Sequence, residues 1–195
     1  LIVDMDHARL RTSTYTTLGD RLIPFAEVTF SGYEVPVENR LGDEGEGLRM
    51  TLRAIQASRA SMASHAVGLA QAAVDAAVAY AKDRRQFGKP IGKFQAVANK
   101  LAEMEVRLES ARLVLYKAAW FKAQGKHALA AASMAKLHAS EVCVHNCLDA
   151  IQIHGGYGYM TEFNVERELR DALAGTLYSG TSEIQKLIIA GLRGL

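Results

Sequence analysis

The last proline of the chain is Pro90, and no proline interrupts the residues that follow it. Proline removes a backbone donor and breaks helices, so a long stretch without it permits uninterrupted helices. Apolar residues between 94 and 122 add the matching periodicity, because they recur in alternating steps of four and three at Val97, Leu101, Met104, Leu108, Ala111, Leu115 and Ala118. This spacing is typical of a helix that packs against other helices along one face. The absence of proline and this apolar spacing together predict a mainly α fold for the second half of the chain.

Two further long segments carry helical patterns. Residues 48–83 are rich in alanine, and their larger apolar side chains recur every seven residues at Ile55, Met62 and Leu69. Residues 127–153 predict a third long helix, with one apolar face formed by Leu137, Val144, Leu148 and Ile151. Both segments are long enough to lie along the helix predicted at 94–122.

Two shorter helices are predicted near the C terminus. One covers Glu166–Leu173, and the last runs from Thr181 to Leu192. Ser182 and Gln185 have the spacing of a capping box at the start of the last helix. Long antiparallel helices joined by short loops form an up-down bundle. We therefore predict a mainly α fold, with a C-terminal up-down four-helix bundle preceded by a few β-strands.

The strands belong to the first 45 residues, where the composition differs. Pro24 and Pro36 lie here, and Ile2–Met5 and Ala26–Phe30 read as short strands. So few strands with exposed edges make a poor domain on their own. We expect residues 1–45 to be the C-terminal part of an incomplete β domain and residues 46–195 to be the helical domain. Because the chain begins with Leu1 rather than methionine, we also expect it to be a piece of a longer protein.

Composition excludes several classes of protein. The 195 residues are 49% hydrophobic and 23% charged, which argues against disorder, a collagen-like repeat and a disulfide scaffold. With 23 basic and 21 acidic residues, no charge bias points to nucleic acid. No apolar run is long enough for a membrane span. The only two cysteines, Cys143 and Cys147, fit a reducing compartment, and we expect a cytoplasmic protein.

Three segments could carry chemistry, and each also has a purely structural interpretation. The loop Asp83–Lys93 offers arginines that can bind phosphate oxygens, or it is a solvated loop at a helix C terminus. The glycines of Gln152–Tyr159 allow close approach of a cofactor, or they form a C-cap and a turn. The segment Tyr178–Glu183 could hold an oxyanion on free N–H groups, or Thr181 or Ser182 caps the last helix.

Two other patterns favour packing over catalysis. Cys143 and Cys147 share a helix face, while His145 points away from them and no fourth metal ligand is evident, so we predict buried structural thiols. Ser179 has no sequence-adjacent histidine or aspartate partner, so a hydrolase nucleophile is not favoured.

Taken in order, these segments resemble the acyl-CoA dehydrogenase family, which are flavoproteins. The resemblance covers nearly the whole chain, and although each piece is weak alone, the order and the spacing are those of the family. The matching pieces are Phe25–Phe30, Val35–Asn39, Gly42–Gly47, Arg84–Lys89, Phe94–Gln95, Gln152–Gly156, Glu166–Arg167, Arg170–Ala172 and Gly180–Gln185.

The resemblance implies FAD as the cofactor, bound across a subunit interface of a homodimer or homotetramer. The positions that match contacts to the neighbouring subunit's FAD are Arg84, Gln86, Phe87, Gln95, Gln152, Gly155 and Gly156. Thr181 and Glu183 match contacts to FAD of the same subunit, although family members commonly have glutamine at the place of Glu183. Arg59 and Gly180 match substrate positions beside the acyl-CoA pocket. An acyl-CoA or acyl-carrier thioester is the implied substrate, and an electron-transfer flavoprotein is the implied electron acceptor.

The family reaction is α,β-desaturation, in which a glutamate removes the α-proton and a hydride passes from the β-carbon to flavin N5. Ser179 stands at the usual place of that glutamate, and Ser58 stands at its alternative place. Neither hydroxyl can replace a carboxylate base near neutral pH. Three hypotheses follow: a working oxidoreductase with a base from elsewhere, a flavin-dependent oxygenase, or a catalytically silent subunit that completes a partner's FAD site in a hetero-oligomer.

Overall fold

The computed structural model describes residues 1–6 and 8–195, and this part of the chain is mainly α-helical. Its helices are α1 (Gly47–Asp83), α2 (Gln95–Ala123), α3 (Leu129–His154), α4 (Val165–Ala174) and α5 (Ser182–Gly191). Its strands are β1 (Leu10–Tyr15), β2 (Phe25–Phe30), β3 (Arg85–Gln86) and β4 (Lys89–Pro90). The predicted fold class is confirmed. α3 lies at the centre and contacts each of the other helices, with the short α4 and α5 packing against it in turn.

Small side chains form the interface between α1 and α3. On α1, the fully buried positions follow a three–four spacing through Ala63, Ala66, Ala70, Ala73 and Ala77. The larger residues Ile55, Met62 and Leu69 are half-buried beside this row. Alanine lets two helix backbones approach closely, and alanine-rich helices also have a high intrinsic propensity. The predicted helix is confirmed, but its innermost face is the alanine row rather than the heptad of larger residues.

The apolar face predicted for α2 is confirmed. Met104, Leu108, Ala111, Leu115 and Ala118 are all buried. Val97 and Leu101 are half-buried and pack against the same core. This face therefore contributes most of the large core side chains, opposite the small residues of α1 and α3.

The apolar face predicted for α3 is only partly correct, because Val144 and Ile151 pack against the core whereas Leu148 does not. Leu148 is 48% exposed, and Leu137, Val144 and Ile151 are only partly buried. The buried positions are small or polar instead, including Ala135, Ala139, Ser140, Cys143, Asn146, Cys147 and Ala150. The reason is that a central helix with neighbours on several sides needs small residues where they approach it. The prediction of buried thiols is confirmed, and contact with Cys143 together with burial raises the pKa of Cys147.

The region before α1 contains one small antiparallel sheet. β1 pairs with β2 over six residues, from Leu10 opposite Phe30 to Tyr15 opposite Phe25. The strand predicted at Ala26–Phe30 is confirmed, whereas Ile2–Met5 is not a strand; the Ile2 N–H instead donates to the Asn39 carbonyl at 2.8 Å. Almost every residue of both strands is exposed. Among the described residues, no helix combines the length and the hydropathy that a membrane span requires.

Contacts with α4 hold this region against the helices. The Asp20 N–H donates to Asp171 Oδ1 at 2.7 Å, and Arg170 Nη1 donates to the Leu18 carbonyl at 3.0 Å. Arg170 is itself held by two hydrogen bonds to Glu166. A Cβ at Gly19 would lie 2.3 Å from the Arg170 carbonyl oxygen, so only glycine permits this approach. The motif at 166–171 therefore anchors the β-region beside the turn that precedes α5.

Candidate active site

The turn before α5 has an unusual backbone. Ser179 has φ +53° and Gly180 has φ +90°, so two consecutive residues are left-handed. A side chain at such a φ is strained by about 1–2 kcal/mol, which glycine avoids and serine does not. A Cβ at Gly180 would also lie 2.9 Å from Gln185 Nε2. The structure thus holds Ser179 in a strained conformation, as is frequent at functional sites.

The two serines at the implied base positions are neighbours. Ser58 Oγ on α1 lies 3.4 Å from Ser179 Oγ, although the two residues are 121 apart in sequence. Ser58 Oγ also donates to the Ile55 carbonyl at 2.9 Å. In the part of the chain that the structure describes, neither hydroxyl contacts a histidine or a carboxylate. The pair can accept or donate hydrogen bonds, but it contains no group that would take a carbon-bound proton near neutral pH.

Backbone donors surround this pair. The N–H groups of Ser179, Gly180 and Thr181 have no acceptor among the described residues, while the Ser182 N–H closes the turn on the Thr176 carbonyl at 3.0 Å. Successive free N–H groups at a turn of this kind can bind an anion or a carbonyl oxygen. The site therefore offers donors for a thioester carbonyl, in agreement with the chemistry expected from the sequence.

Two buried cations lie beneath the turn. Arg59 is 5% exposed and its Nη1 donates to Ser133 Oγ at 3.4 Å. Lys136 is 1% exposed, and its Nζ donates to the Gly180 carbonyl at 2.8 Å. Burial, followed by the charge of Arg59, lowers the pKa of Lys136 to about 8, and burial also lowers the pKa of Arg59. Lysine is rarely buried without a specific contact.

Gln185 on α5 completes this arrangement, and it corrects the predicted capping box. Its Nε2 donates to the carbonyls of Gly180 and Ser179 at 2.9 and 3.2 Å, so the side chain faces the turn and not the N-terminal N–H groups of the helix. The cap is Thr181, whose Oγ1 accepts from the Ile184 N–H at 3.4 Å. Gln185 was named from sequence only as part of a capping box, and Lys136 was not identified; a lone lysine within an alanine-rich helical face was the available signal for Lys136.

Tyr178 makes a second contact between the turn and α1. Its Oη lies 3.2 Å from His65 Nδ1, two helical turns beyond Ser58 on α1. Burial raises the pKa of Tyr178 to about 12, so the hydroxyl stays protonated. The turn is thus fixed to α1 at Tyr178 and at Ser179.

Glu183 is the residue of α5 that the family resemblance matches to a contact with FAD of the same subunit. It lies in the first turn of α5, where its own backbone N–H and the Thr181 hydroxyl lower the pKa of its carboxyl. Thr181 and Glu183 therefore lie beside the serine pair in sequence and in space. Whether they bind FAD stays a prediction.

A cleft at the other end of the bundle collects most of the other predicted cofactor positions. It has a volume of about 420 Å³ and is lined by Arg84, Gln86, Gly155, Gly156 and Tyr157 together with Tyr80 and His154. Gly155 is the C-cap of α3 with φ +60°, which confirms the predicted cap, and a Cβ on either glycine would meet nothing within 4 Å. Gln152 is exposed one residue before Ile153 of the lining. A mostly apolar cleft with convergent polar groups is typical of small-molecule sites, and that it contacts FAD stays a prediction.

A β-hairpin, predicted only as a loop, lies beside this cleft. Phe87 and Gly88 join β3 to β4 with φ values of +50° and +81°, as a tight two-residue hairpin turn requires. The Phe87 side chain is 92% exposed at the tip, although its ring edge faces Phe94 at 6.1 Å. Gln95 follows at the exposed start of α2. An exposed aromatic on a rigid hairpin can contact a second molecule.

The two groups of residues are far apart. Ser58 and Tyr80 both lie on α1, and at 1.5 Å per residue they are separated by about 33 Å. The serine pair, with Thr181 and Glu183 on the adjoining segment, is thus one group of candidate residues, and the cleft with the hairpin is another. That the two groups serve the FAD molecules of two different subunits stays a prediction.

Comparison with known proteins gives a consistent assignment. The family profile described as "Acyl-CoA dehydrogenase, C-terminal domain" matches residues 45–191. The chain is 48% identical over 191 residues to "Probable acyl-CoA dehydrogenase YngJ" of Bacillus subtilis, which is 97% of this chain and 50% of that protein. It is 44% identical over 167 residues to "Caffeyl-CoA reductase-Etf complex subunit CarC" of Acetobacterium woodii, covering 86% of this chain and 44% of that protein. The chain thus spans about half the length of the curated relatives it matches.

Solved structures agree with this assignment. The prolyl acyl carrier protein oxidase AnaB is 45% identical with a TM-score of 0.94, and butyryl-CoA dehydrogenase from Megasphaera elsdenii is 37% identical with a TM-score of 0.96. PigA, described with FAD and proline, is 34% identical with a TM-score of 0.94. Each match covers 99% of this chain and 51% of the other. These similarities support FAD as the cofactor, and the chain belongs to the acyl-CoA dehydrogenase family.

Proposed function

We propose that this chain forms part of an FAD-dependent oxidoreductase that binds an acyl thioester at the serine pair. The observation that carries the proposal is the Ser179–Thr181 turn at the head of α5. Its three N–H groups have no acceptor among the described residues, and Ser179 Oγ lies 3.4 Å from Ser58 Oγ. The Ser179 amide, together with the neighbouring Gly180 and Thr181 amides, would polarise the thioester carbonyl. This contact requires no side chain and therefore survives the loss of the glutamate. When bound, FAD supplies the acceptor for a hydride from the β-carbon.

The reaction that we propose is α,β-desaturation. The α-proton would pass to a base that is supplied from elsewhere than the Ser58–Ser179 pair. Polarising the carbonyl makes the α-proton more acidic, but a base is still needed to remove it. Asp171 does not fill this role, because its carboxylate accepts from the Asp20 N–H. The name of AnaB indicates that an acyl group on a carrier protein is a substrate in this structural class, so we include carrier thioesters beside acyl-CoA.

Partners are proposed on the same basis. CarC is named as a subunit of a complex with Etf, which supports an electron-transfer flavoprotein as the electron acceptor. Exposed apolar residues on the outer face of α2 support a homodimer or homotetramer: Val106, Leu113, Tyr116 and Trp120 are 70%, 60%, 60% and 52% exposed. The almost fully exposed strands β1 and β2 support the proposal that residues 1–45 belong to a larger β domain.

A second candidate function is a catalytically silent subunit that completes the FAD site of a partner. The serine pair without a base favours it, because the cleft and the exposed Phe87 can serve a neighbour's cofactor regardless of chemistry at Ser179. The oxygenase hypothesis has no specific contact in its favour.

Anaerobic spectroscopy of the FAD-loaded protein separates these functions. Saturated acyl-CoAs and carrier thioesters would be added in turn, and the flavin absorbance would be followed. Bleaching on addition of a thioester supports desaturation. Binding without bleaching, together with co-purification of a family member that has the glutamate, supports the silent subunit. If no thioester changes the spectrum at all, the proposed function is wrong.

A further inference from the structure

Lys136 contacts the turn from the interior of the bundle. Its Nζ and Gln185 Nε2 both donate to the Gly180 carbonyl, at 2.8 and 2.9 Å, and Gln185 also donates to the Ser179 carbonyl at 3.2 Å. The charged groups around Lys136 are Arg59 on α1, Glu141 on α3 and Glu183 on α5. Glu141 is itself 3.6 Å from Lys186, on the surface. Among the described residues, Lys136 has no carboxylate as a direct partner.

These contacts fix the shape of the turn. Ser179 and Gly180 have φ values of +53° and +90°, and a strained backbone persists only where the surroundings determine it. Lys136 and Gln185 donate hydrogen bonds to the carbonyls of these two residues. The direction of each carbonyl sets the direction of the N–H on the same peptide unit. Holding the Ser179 and Gly180 carbonyls therefore orients the Gly180 and Thr181 amides away from the core.

The hydrogen bonds from Lys136 and Gln185 also strengthen the Gly180 and Thr181 N–H groups as hydrogen-bond donors. A hydrogen bond to a peptide carbonyl polarises that peptide unit, so its N–H becomes a better donor, and a cationic donor has the larger effect. The Lys136 ammonium lies 2.8 Å from the carbonyl oxygen of the Gly180–Thr181 peptide unit. In a buried site such a charge is poorly screened by solvent.

We propose that Lys136 is a positioning residue for thioester binding: through the Gly180 carbonyl it fixes the Ser179–Gly180 turn and strengthens the Thr181 amide, the donor on the same peptide unit. The inference rests on the proposed function, since it names how the same site recognises a thioester carbonyl. It requires no base, and therefore holds whether or not the wild type turns over.

Infrared difference spectroscopy measures the polarisation directly. The FAD-loaded protein would be mixed with butyryl-CoA labelled with ¹³C at the carbonyl, and the shift of the C=O stretch on binding would be recorded. Lys136→Met is expected to lose most of the downshift seen in wild type, whereas Lys136→Arg keeps it. Lys186→Met, at an exposed lysine of α5, is the matched control and is expected to match wild type. An unchanged downshift in Lys136→Met overturns the proposal.

Hydrogen exchange without ligand tests the turn by itself. The Ser182 amide closes the turn on the Thr176 carbonyl, so its exchange reports local opening. We expect Lys136→Met to speed this exchange by about tenfold and Lys136→Arg to restore it. Equal exchange in wild type and Lys136→Met overturns the inference. If wild type binds no thioester while the exchange difference is present, the proposed function is wrong but the role of Lys136 in holding the turn stands.

Discussion

At the scale of single residues, the Ser179–Gly180 turn brings together strain, free donors and buried charge. Ser179 replaces the carboxylate that the family resemblance implies, while the backbone around it keeps its left-handed shape. Lys136 and Gln185 hold that shape from below. The turn therefore offers backbone donors, while the two serines beside it include no carboxylate that would remove a proton.

The left-handed backbone at Gly180 gives a stability prediction. Gly180→Ala places a Cβ 2.9 Å from Gln185 Nε2 at a left-handed φ, so we expect a loss of about 1–3 kcal/mol in the free energy of unfolding. Gly68→Ala is the matched control, because Gly68 lies within α1 with open space around it and alanine should stabilise the helix by about 0.5–1 kcal/mol. Urea unfolding of the two variants measures both values; a Gly180→Ala variant as stable as wild type would contradict this prediction.

Lys136 gives a pH prediction. Its pKa in the folded state is about 8, below the ordinary value of 10.5, so between these values the unfolded chain binds more protons than the folded chain. The contribution of Lys136 to the free energy of unfolding should then rise as pH rises from about 8 toward 10, while the raised pKa of Cys147 acts in the opposite direction. The stability of Lys136→Met relative to wild type should therefore fall as pH rises, and that of Lys186→Met should not change. Urea unfolding of the three proteins between pH 7.5 and 9.5 is the measurement, and a difference between wild type and Lys136→Met that is independent of pH would disagree with the prediction.

Sequence reasoning located some of these residues and missed others for physical reasons. Ser58 and Ser179 were identified from their positions in a family pattern, but their contact joins residues 121 apart and depends on how α1 packs beside the turn. Lys136 was missed because a lysine in a helix is normally exposed, and only the fold shows that its ammonium reaches a carbonyl in the core.

At the scale of elements, a buried helix face made of large apolar side chains can be predicted from sequence periodicity, whereas a buried face made of small side chains cannot. α2 carries Leu108 and Leu115 on its buried face, so its periodicity predicts the packing correctly. α3 buries alanine, serine and cysteine, which have no strong hydrophobic pattern, and its larger residues remain partly exposed. Length and proline spacing predicted the helices themselves. The central position of α3, which sequence periodicity does not report, decided which of its faces is buried.

The two faces of α2 provide a prediction at this scale. Leu108 is 1% exposed, so Leu108→Ala should lower the free energy of unfolding by about 2–5 kcal/mol. Leu113 is 60% exposed, so Leu113→Ala should change the stability of the monomer by less than about 0.5 kcal/mol. If the outer face of α2 is an oligomer contact, Leu113→Ala should instead weaken self-association in analytical ultracentrifugation. Equal losses of monomer stability in both variants would contradict the assigned faces.

At the scale of the whole molecule, the helical region presents two separate groups of candidate site residues. The serine pair and the cleft beside the hairpin are about 33 Å apart along α1. A single chain that contributes to two distant sites is easily understood if two subunits share their cofactors. The chain spans about half the length of the relatives it matches, so the rest of each proposed site would come from segments outside it.

Phe87 tests the sharing of cofactors between subunits. It is 92% exposed at the hairpin tip, so Phe87→Ala should leave the free energy of unfolding of this chain within about 0.5 kcal/mol of wild type. We expect FAD retention by the assembled protein to fall by about tenfold, because losing a buried aromatic contact costs on the order of 1–2 kcal/mol of binding. Flavin content after gel filtration is the measurement. Retention equal to wild type would mean that Phe87 does not contact the cofactor.

The most direct test of the account is Ser179→Glu in the FAD-loaded protein, mixed anaerobically with butyryl-CoA and with a carrier thioester. A glutamate at this place would stand beside the polarised carbonyl, and a positioned base is worth about 10²–10⁴ in rate. Ser64→Glu, on an exposed face of α1, controls for the added charge. We predict that Ser179→Glu reduces its flavin at least about 100-fold faster than wild type and Ser64→Glu. Flavin reduction in wild type that is as fast as, or faster than, reduction in Ser179→Glu would contradict the placement of the site.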